Sequence, residues 1–409
     1  MSSSLSRQPN RKKTDSIQID GNLFIIVCIS LISILGVTSI SPVMPTIAKG
    51  LSIPPQQIGL IMAVFLIPTT FGAFIFGALA DRIGIKKILV PSLLVFGLAG
   101  ILCAFAQDFR SLLESRFLTG VGAASLDTLE LTIISHLYSG KMLTTAMGLN
   151  AAAIGIAATI YPVIGGGLAV LGWRYPFLLS VLALPVAFLI ATKLKLPKKP
   201  KNTETMNLSV YLKNTWNSIN NLQVLVLLFT VFTLFIVEFA ACYTYIPIYA
   251  GTYLNASGAE IGIIISSFSL ALAFTASQLG LLTRWMSEKR LIVIGCLLCG
   301  LSVLLIPAIH NPWLLTVPCI LFGVGQAFAF PPLQAMLAEI APEGYRAGFM
   351  SLNVTVQSLG RALGPLFGGI AFSVWGVQGV FYACAVLAII TSVVFSSFLA
   401  YKSPIRAHS

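Results

Sequence analysis

Apolar residues run along this chain in long blocks separated by short polar clips. A helix that crosses a bilayer needs about 20 mostly apolar residues. The blocks predict twelve such helices, over residues 22–45, 57–80, 87–107, 111–135, 143–170, 175–193, 222–250, 260–283, 290–309, 312–338, 346–373 and 377–401. An even number of spans puts both ends of the chain on the same side. One polar stretch, 194–221, is long enough to be a linker. It divides the chain into six-span bundles at 22–193 and 222–401, with polar tails at 1–21 and 402–409. The first tail carries Arg7, Arg11, Lys12 and Lys13, and the block after it is too long for the apolar core of a cleaved leader. That block is therefore expected to remain as span one.

The halves repeat at an offset of 203 residues. Gly77 maps onto Gly280, Gly120-Val-Gly122 onto Gly323-Val-Gly325, and Pro162 with Gly165-Gly166 onto Pro365 with Gly368-Gly369. Because the offset carries six spans, the two copies share one orientation and form a parallel repeat about an axis along the membrane normal. The predicted fold is an all-α membrane protein of two six-helix bundles.

Composition agrees with this pattern. Hydrophobic residues make up 57% of the chain and charged residues 9%, with a mean hydropathy of +0.92. That leaves too little polar surface for a soluble chain of this length. The net charge of +12 could point to nucleic acid, but its placement argues otherwise. With the first tail set on the inner side, 20 of the 25 Lys and Arg residues fall on that face. Lys49, Arg110 and Arg174 fall on the opposite face, and Arg116 and Arg361 lie within spans. This is the positive-inside asymmetry of a membrane protein with both termini in the cytoplasm. The seven cysteines all sit in apolar blocks and read as packing groups. Cys296 and Cys299 are included, so neither a metal nor a redox pair is expected. No phosphate-binding G-x-x-x-x-G-K-[ST] loop occurs, so ATP is not the expected energy source. No nucleophile–base set suggests an enzyme, and no cofactor is expected.

The motifs now add up to a resemblance. Gly77-x-Leu-Ala-Asp81-Arg82-x-Gly84-x-Lys86-Lys87 resembles the loop 2–3 signature of the major facilitator superfamily. Arg116-Phe-Leu-Thr-Gly120-Val-Gly122 is similar to the fourth-helix motif of its proton-coupled members. Ser41-Pro42-Val-Met-Pro45 and Trp173-Arg174-Tyr-Pro-Phe177 also resemble family segments. Within the superfamily, the twelve-helix drug:proton antiporters of the arabinose-efflux and multidrug permease type are most similar. The resemblance implies a bacterial inner-membrane carrier that works as a monomer and rocks about a central site between spans one, four, seven and ten. It makes Gly77, Asp81, Arg82, Gly84, Lys86 and Lys87 a gating motif, with Asp81 meeting the start of span eleven near 346–349. It makes Gly148, Pro162, Gly165 and Gly166 the helix-bend signature of span five, repeated in span eleven as Gly360, Gly364, Pro365, Gly368 and Gly369. Two departures stand out: Ala157 and Tyr161 occupy positions where the signature has glycine, and Thr283-Arg284 replaces Ala80-Asp81 in the second copy of the clip.

Charged groups at bilayer depth are costly and are functional candidates by default. Span four carries Arg116, Asp127 and Glu130. In a regular helix Asp127 lies about 20° round from Arg116, and Glu130 about 40° the other way. These are the proton-coupling candidates together with Glu238, because a carboxyl that alternates between dry and wet surroundings gains and loses a proton. The competing reading is a static charge pair that supports packing. In span seven, Phe232, Phe235, Phe239 and Tyr243 recur at helical spacing beside Glu238. An acid among aromatic faces suits a lipophilic cation, although aromatics at such spacing also pack helices or face lipid. Arg361 either binds an anionic group, pairs with an acid across the cavity or bonds helix ends. Gln326, Asn353 and Gln357 either line the cavity or join helices. The expected partners are a small organic solute, a proton and the bilayer, and the expected activity is proton-coupled efflux by alternating access. A proton-coupled carrier of a sugar, amino acid or other metabolite is the alternative, and a receptor or scaffold that kept the fold is the reading from another class.

Overall fold

The computed structural model describes residues 21–194, 196, 221–340 and 346–402. The two tails and nearly all of the expected linker, as well as 341–345, lie outside the described residues. Among the described residues every regular element is helical. Eleven apolar runs are long enough to cross a bilayer. The last, within Arg346–Lys402, is two helices: Gly376, at φ 70° and ψ −173°, breaks it between them. The described residues thus form twelve apolar helices, matching the hydrophobic blocks in number.

We number them α1 (Gly21–Gly50), α2 (Leu60–Ile83), α3 (Ile85–Ala104), α4 (Phe109–Leu137), α5 (Gly140–Leu171) and α6 (Tyr175–Lys193). The second half comprises α7 (Leu222–Tyr253), α8 (Gly258–Ser277), α9 (Glu288–Leu305), α10 (Thr316–Ile340), α11 (346–375) and α12 (377–402). Several ends follow from local chemistry. Gly84, at φ 102°, makes the sharp turn between α2 and α3 that a side chain would strain. Asp108 caps α4 by accepting from the Ser111 backbone N–H at 2.7 Å, and Ser111 returns a reciprocal bond. Those bonds hold the exposed Asp108 carboxyl below the usual carboxylate range.

The two bundles meet along three pairs of helices that the repeat relates: α1 with α7, α2 with α11, and α5 with α8. The contacts are close because small residues let backbones touch. A Cβ on Gly166 would strike the Gly258 carbonyl, and one on Gly262 would strike the Pro162 carbonyl. Hydrogen bonds cross the same seams: Ser41 Oγ donates to the Tyr243 carbonyl at 2.7 Å, Thr70 Oγ1 to the Ser358 carbonyl at 3.0 Å, and Ser266 Oγ to the Thr159 carbonyl. The Gly166–Gly258 and Ser41–Tyr243 contacts lie toward the helix ends away from the Lys- and Arg-rich connections, and the Thr70–Ser358 bond lies near mid-span. Nearer the basic connections, a Cβ at Gly155 or Gly148 would meet nothing within 4 Å.

Candidate functional site

In the C-terminal bundle the candidate site draws its side chains from α7, α10 and α11. α7 is not one regular helix. Residues Leu222–Val237 are α-helical, and Glu238–Tyr245 form a π-helical turn in which every residue is buried. The Thr244 hydroxyl donates to the Phe239 carbonyl, five residues back, at 2.7 Å. Such wide turns recur at functional sites because they displace side chains from regular helical spacing. Here the turn begins at Glu238.

Glu238 is 7% exposed, and its Oε2 accepts from Gln326 Nε2 of α10 at 3.0 Å. Phe330, one turn along α10, meets Phe235 edge to face at 5.2 Å between ring centroids. Phe239 and Tyr243 lie 5.0 Å apart, and Tyr243 packs against Phe268. From α11, the Arg361 guanidinium carbon sits 4.9 Å from the Phe235 ring centroid and 6.0 Å from that of Phe239. This is within cation–π range. Asn353, Gln357 and Arg361 follow one another at four-residue intervals and share a face of α11. Asn353 Nδ2 donates to Gln334 Oε1 of α10.

Four polar atoms in this group have no hydrogen-bond partner among the described residues: Gln326 Oε1, Asn353 Oδ1, Gln357 Nε2 and Arg361 Nε. Two can accept and two can donate. Unpaired buried polar groups each cost about 1–3 kcal/mol, so the cluster is suited to a guest that brings both kinds of partner along with apolar surface. Phe232 is different: it is half-buried, and its backbone carbonyl faces Gly360.

The N-terminal bundle holds the remaining buried charges. α4 is interrupted at Ala124–Ser125, between Phe109–Ala123 and Leu126–Leu137. Eleven residues, about 16 Å of helical rise, separate Arg116 from Asp127. Arg116 is 1% exposed, donates to the Gly36 carbonyl at 3.0 Å and the Ile61 carbonyl at 3.2 Å, and lies 4.3 Å from the Phe65 ring centroid. It ties α1, α2 and α4 together. Backbone carbonyls, not carboxylates, take its N–H groups, so the competing reading of a static charge pair within α4 does not hold for Arg116. The one ion pair among the described residues is Arg110–Glu114, at the surface.

Asp127 and Glu130 do lie together, beyond the break. Asp127 is exposed and accepts from Ser33 of α1. Glu130 is 4% exposed, and its Oε1 accepts from Asn150 Nδ2 of α5 at 2.8 Å. Asn150 Oδ1 in turn accepts from Ser30 Oγ at 2.6 Å. Sequence reasoning passed over Ser30, Asn150 and Phe330. Asn150 had a signal, an amide inside an otherwise apolar run, but nothing in the spacing pointed it at Glu130.

The motif residues fall as follows. Gly84 makes its turn, Lys86 Nζ donates to the Ala191 carbonyl at 3.4 Å, and Arg82 and Lys87 are exposed. Gly77 lies against Thr128 of α4. The Asp81 side chain and those of 346–349 lie outside the described residues. α5 runs unbroken through Pro162, and its motif glycines serve close packing: Gly165 meets the Ser39 carbonyl and Gly166 meets α8, while Gly148 faces open space. In α11, Gly360 and Gly364 admit the backbone of α7 beside Phe235 and Phe239. Gly59 of α2 packs on the Pro365 carbonyl, Gly368 makes room for Tyr245, and Gly369 packs near Gln56.

Twelve apolar helices in two parallel bundles, with charged side chains buried inside each, have the architecture of a membrane transporter. Comparison with known proteins gives the family. The model of the Major Facilitator Superfamily matches residues 26–254 and again 243–408, and the chain belongs to that superfamily. It is 26% identical to multidrug resistance protein 2 of Bacillus subtilis strain 168, over 90% of this chain and 91% of that protein. It is 28% identical to multidrug resistance protein 1 of the same organism, over 88% and 91%. Among solved structures, a bacterial homologue of the human lysosomal transporter Spinster, inward-facing and unoccupied, superposes with a TM-score of 0.79. The two share 16% identity over 92% of this chain and 96% of that one.

Proposed function

We propose that this transporter exports amphipathic organic solutes, lipophilic cations among them, in exchange for protons. The observation that carries the reading is Glu238, a carboxylate set among Phe235, Phe239, Phe330 and Tyr243 and held by Gln326. A cation admitted to that cluster gains charge pairing and ring contacts together. The unpartnered amide and guanidinium atoms beside it favour a solute that also carries hydrogen-bonding groups, so the guest is amphipathic rather than a plain hydrocarbon. The Bacillus relatives, named for multidrug resistance, support the same direction.

Protons are taken up and released at Asp127 and Glu130 in the N-terminal bundle, with Glu238 exchanging its proton for the cationic solute. The basic face is cytoplasmic, the two bundles occupy 22–193 and 222–401, and the protein works as a monomer in a bacterial inner membrane. The state described here is then inward-open. Asp81 at the end of α2 latches onto the positive N-terminal end of α11 in the outward-open state. Growth of a pump-deficient bacterium expressing the chain, on a panel of cationic dyes, antibiotics and polar metabolites, tests the substrate class. Tolerance confined to amphipathic compounds supports it, and an effect only on sugar or amino-acid uptake overturns it.

A further inference from the structure

Three features of the N-terminal bundle belong together. Glu130 is buried with one oxygen bonded and the other, Oε2, without a partner among the described residues. Its Oε1 accepts from an amide on a different helix, Asn150 of α5, at 2.8 Å, and the Ser30 hydroxyl of α1 acts on the same carboxyl. That amide is locked from behind, because its Oδ1 accepts from Ser30 Oγ of α1. With Oδ1 so occupied, Nδ2 is the group presented to Glu130, and α1, α4 and α5 are linked through one carboxyl group.

α5 is also the helix that forms the closed seam. It is continuous from Gly140 to Leu171. Asn150 is therefore separated from Pro162, where α5 touches Gly262 of α8, by about 18 Å of rigid helix. A displacement at one point is felt at the other. We propose that Asn150, positioned by Ser30, ties the charge state of Glu130 to the α5–α8 seam, so that proton binding and the opening of the outer gate are one event. This rests on the proton-coupled reading above and adds to it a link and a direction of transmission.

The surroundings of Glu130 leave that role to few groups. On α4 it faces Asp127, whose charge reaches it, and His136 is exposed at the helix end. α1 contributes Ser30 and Ser33, with Cys28 as its titratable group, and α5 contributes Asn150, with Tyr161 further along. Arg82, Lys86 and Lys87 are at the turn between α2 and α3. No described Lys or Arg forms an ion pair with Glu130. When Glu130 is ionised, the carboxylate draws the Asn150 donor. When it is neutral, that attraction falls, and charge-assisted bonds are about twice as strong as neutral ones. The difference between the two states acts on α5.

The test uses full-length protein in liposomes with ethidium, an aromatic cation, as the transported probe. Asn150→Leu keeps the heavy-atom count and branching of the side chain and removes the donor. The expected result is retained downhill ethidium movement, loss of about tenfold or more of the acceleration given by a pH gradient, and a flattened pH profile. Ser30→Ala is expected to move both readouts in the same direction by less. Labels on Leu171 and Asn255 report the α5–α8 seam, and their separation is expected to respond to pH in the wild type and not in Asn150→Leu. A variant with wild-type gradient response, pH profile and label distances overturns the link. A wild type itself indifferent to the gradient overturns the parent reading instead, so the two failures are distinguishable. Should Asn150→Leu not reach the membrane, Ser30→Ala decides by the same measurements.

Discussion

Gln326 of α10 donates to Glu238 of α7 at 3.0 Å, and both side chains are buried within the C-terminal bundle. One helix supplies the acid and the other fixes its orientation, while the second amide atom, Gln326 Oε1, stays unpaired. The pair makes the acid a fixed feature of the site and leaves hydrogen-bonding capacity beside it.

Glu238→Gln keeps the shape and removes the charge. Transport of lipophilic cations is expected to lose at least about tenfold in apparent affinity, equivalent to about 1.4 kcal/mol, while neutral amphipathic solutes are spared. Competition assays on purified protein measure both. Equal losses for the two classes would show that Glu238 supports the helix rather than the guest.

Arg116 predicts a stability effect rather than a specificity effect. Its N–H groups serve the Gly36 and Ile61 carbonyls from a position that is 1% exposed. Arg116→Leu leaves both carbonyls without those partners, a loss on the order of 2–4 kcal/mol from unsatisfied groups. Lys cannot reproduce the planar fork. Thermal unfolding in detergent is expected to show a lowered Tm for both variants, and an unchanged Tm would contradict this role.

The seam glycines make a conformational prediction. Gly262→Val places a side chain against the Pro162 carbonyl and should hold the outer gate apart. The variant is expected to insert normally, bind solute from the outer side and fail to complete the cycle. Labels on Gln57 and Asn255 are expected to be further apart than in the wild type. Wild-type turnover with unchanged distances would remove the seam from the mechanism.

Asp81→Asn is expected to slow transport severalfold and spare solute binding, because a latch between bundles contributes to one state of the cycle and to no contact with the guest. Lost binding in a folded variant would contradict the latch.

Much of this was legible in the chain. Twelve apolar blocks and a 203-residue repeat gave the span count and bundle symmetry, because bilayer thickness and backbone satisfaction leave few alternatives. Glu238 was visible as a carboxylate in a run that is otherwise apolar. Arg116 was placed within span four, but its partners, the Gly36 and Ile61 carbonyls on α1 and α2, are contacts that helical spacing does not encode. The π turn at Glu238–Tyr245 was likewise invisible, since periodicity assumes a constant helix. The Ser30–Asn150–Glu130 link spans 120 residues of sequence, and no local pattern encodes a contact between three helices.

The central claim is that solute leaves at the expense of a proton gradient. Wild-type protein reconstituted in liposomes, with ethidium followed by fluorescence under an imposed pH gradient, measures it directly. The account predicts ethidium accumulation against its own gradient, abolished by a protonophore and by the double substitution of Asp127 and Glu130 with Asn and Gln. Ethidium movement that ignores the pH gradient and the protonophore would contradict it.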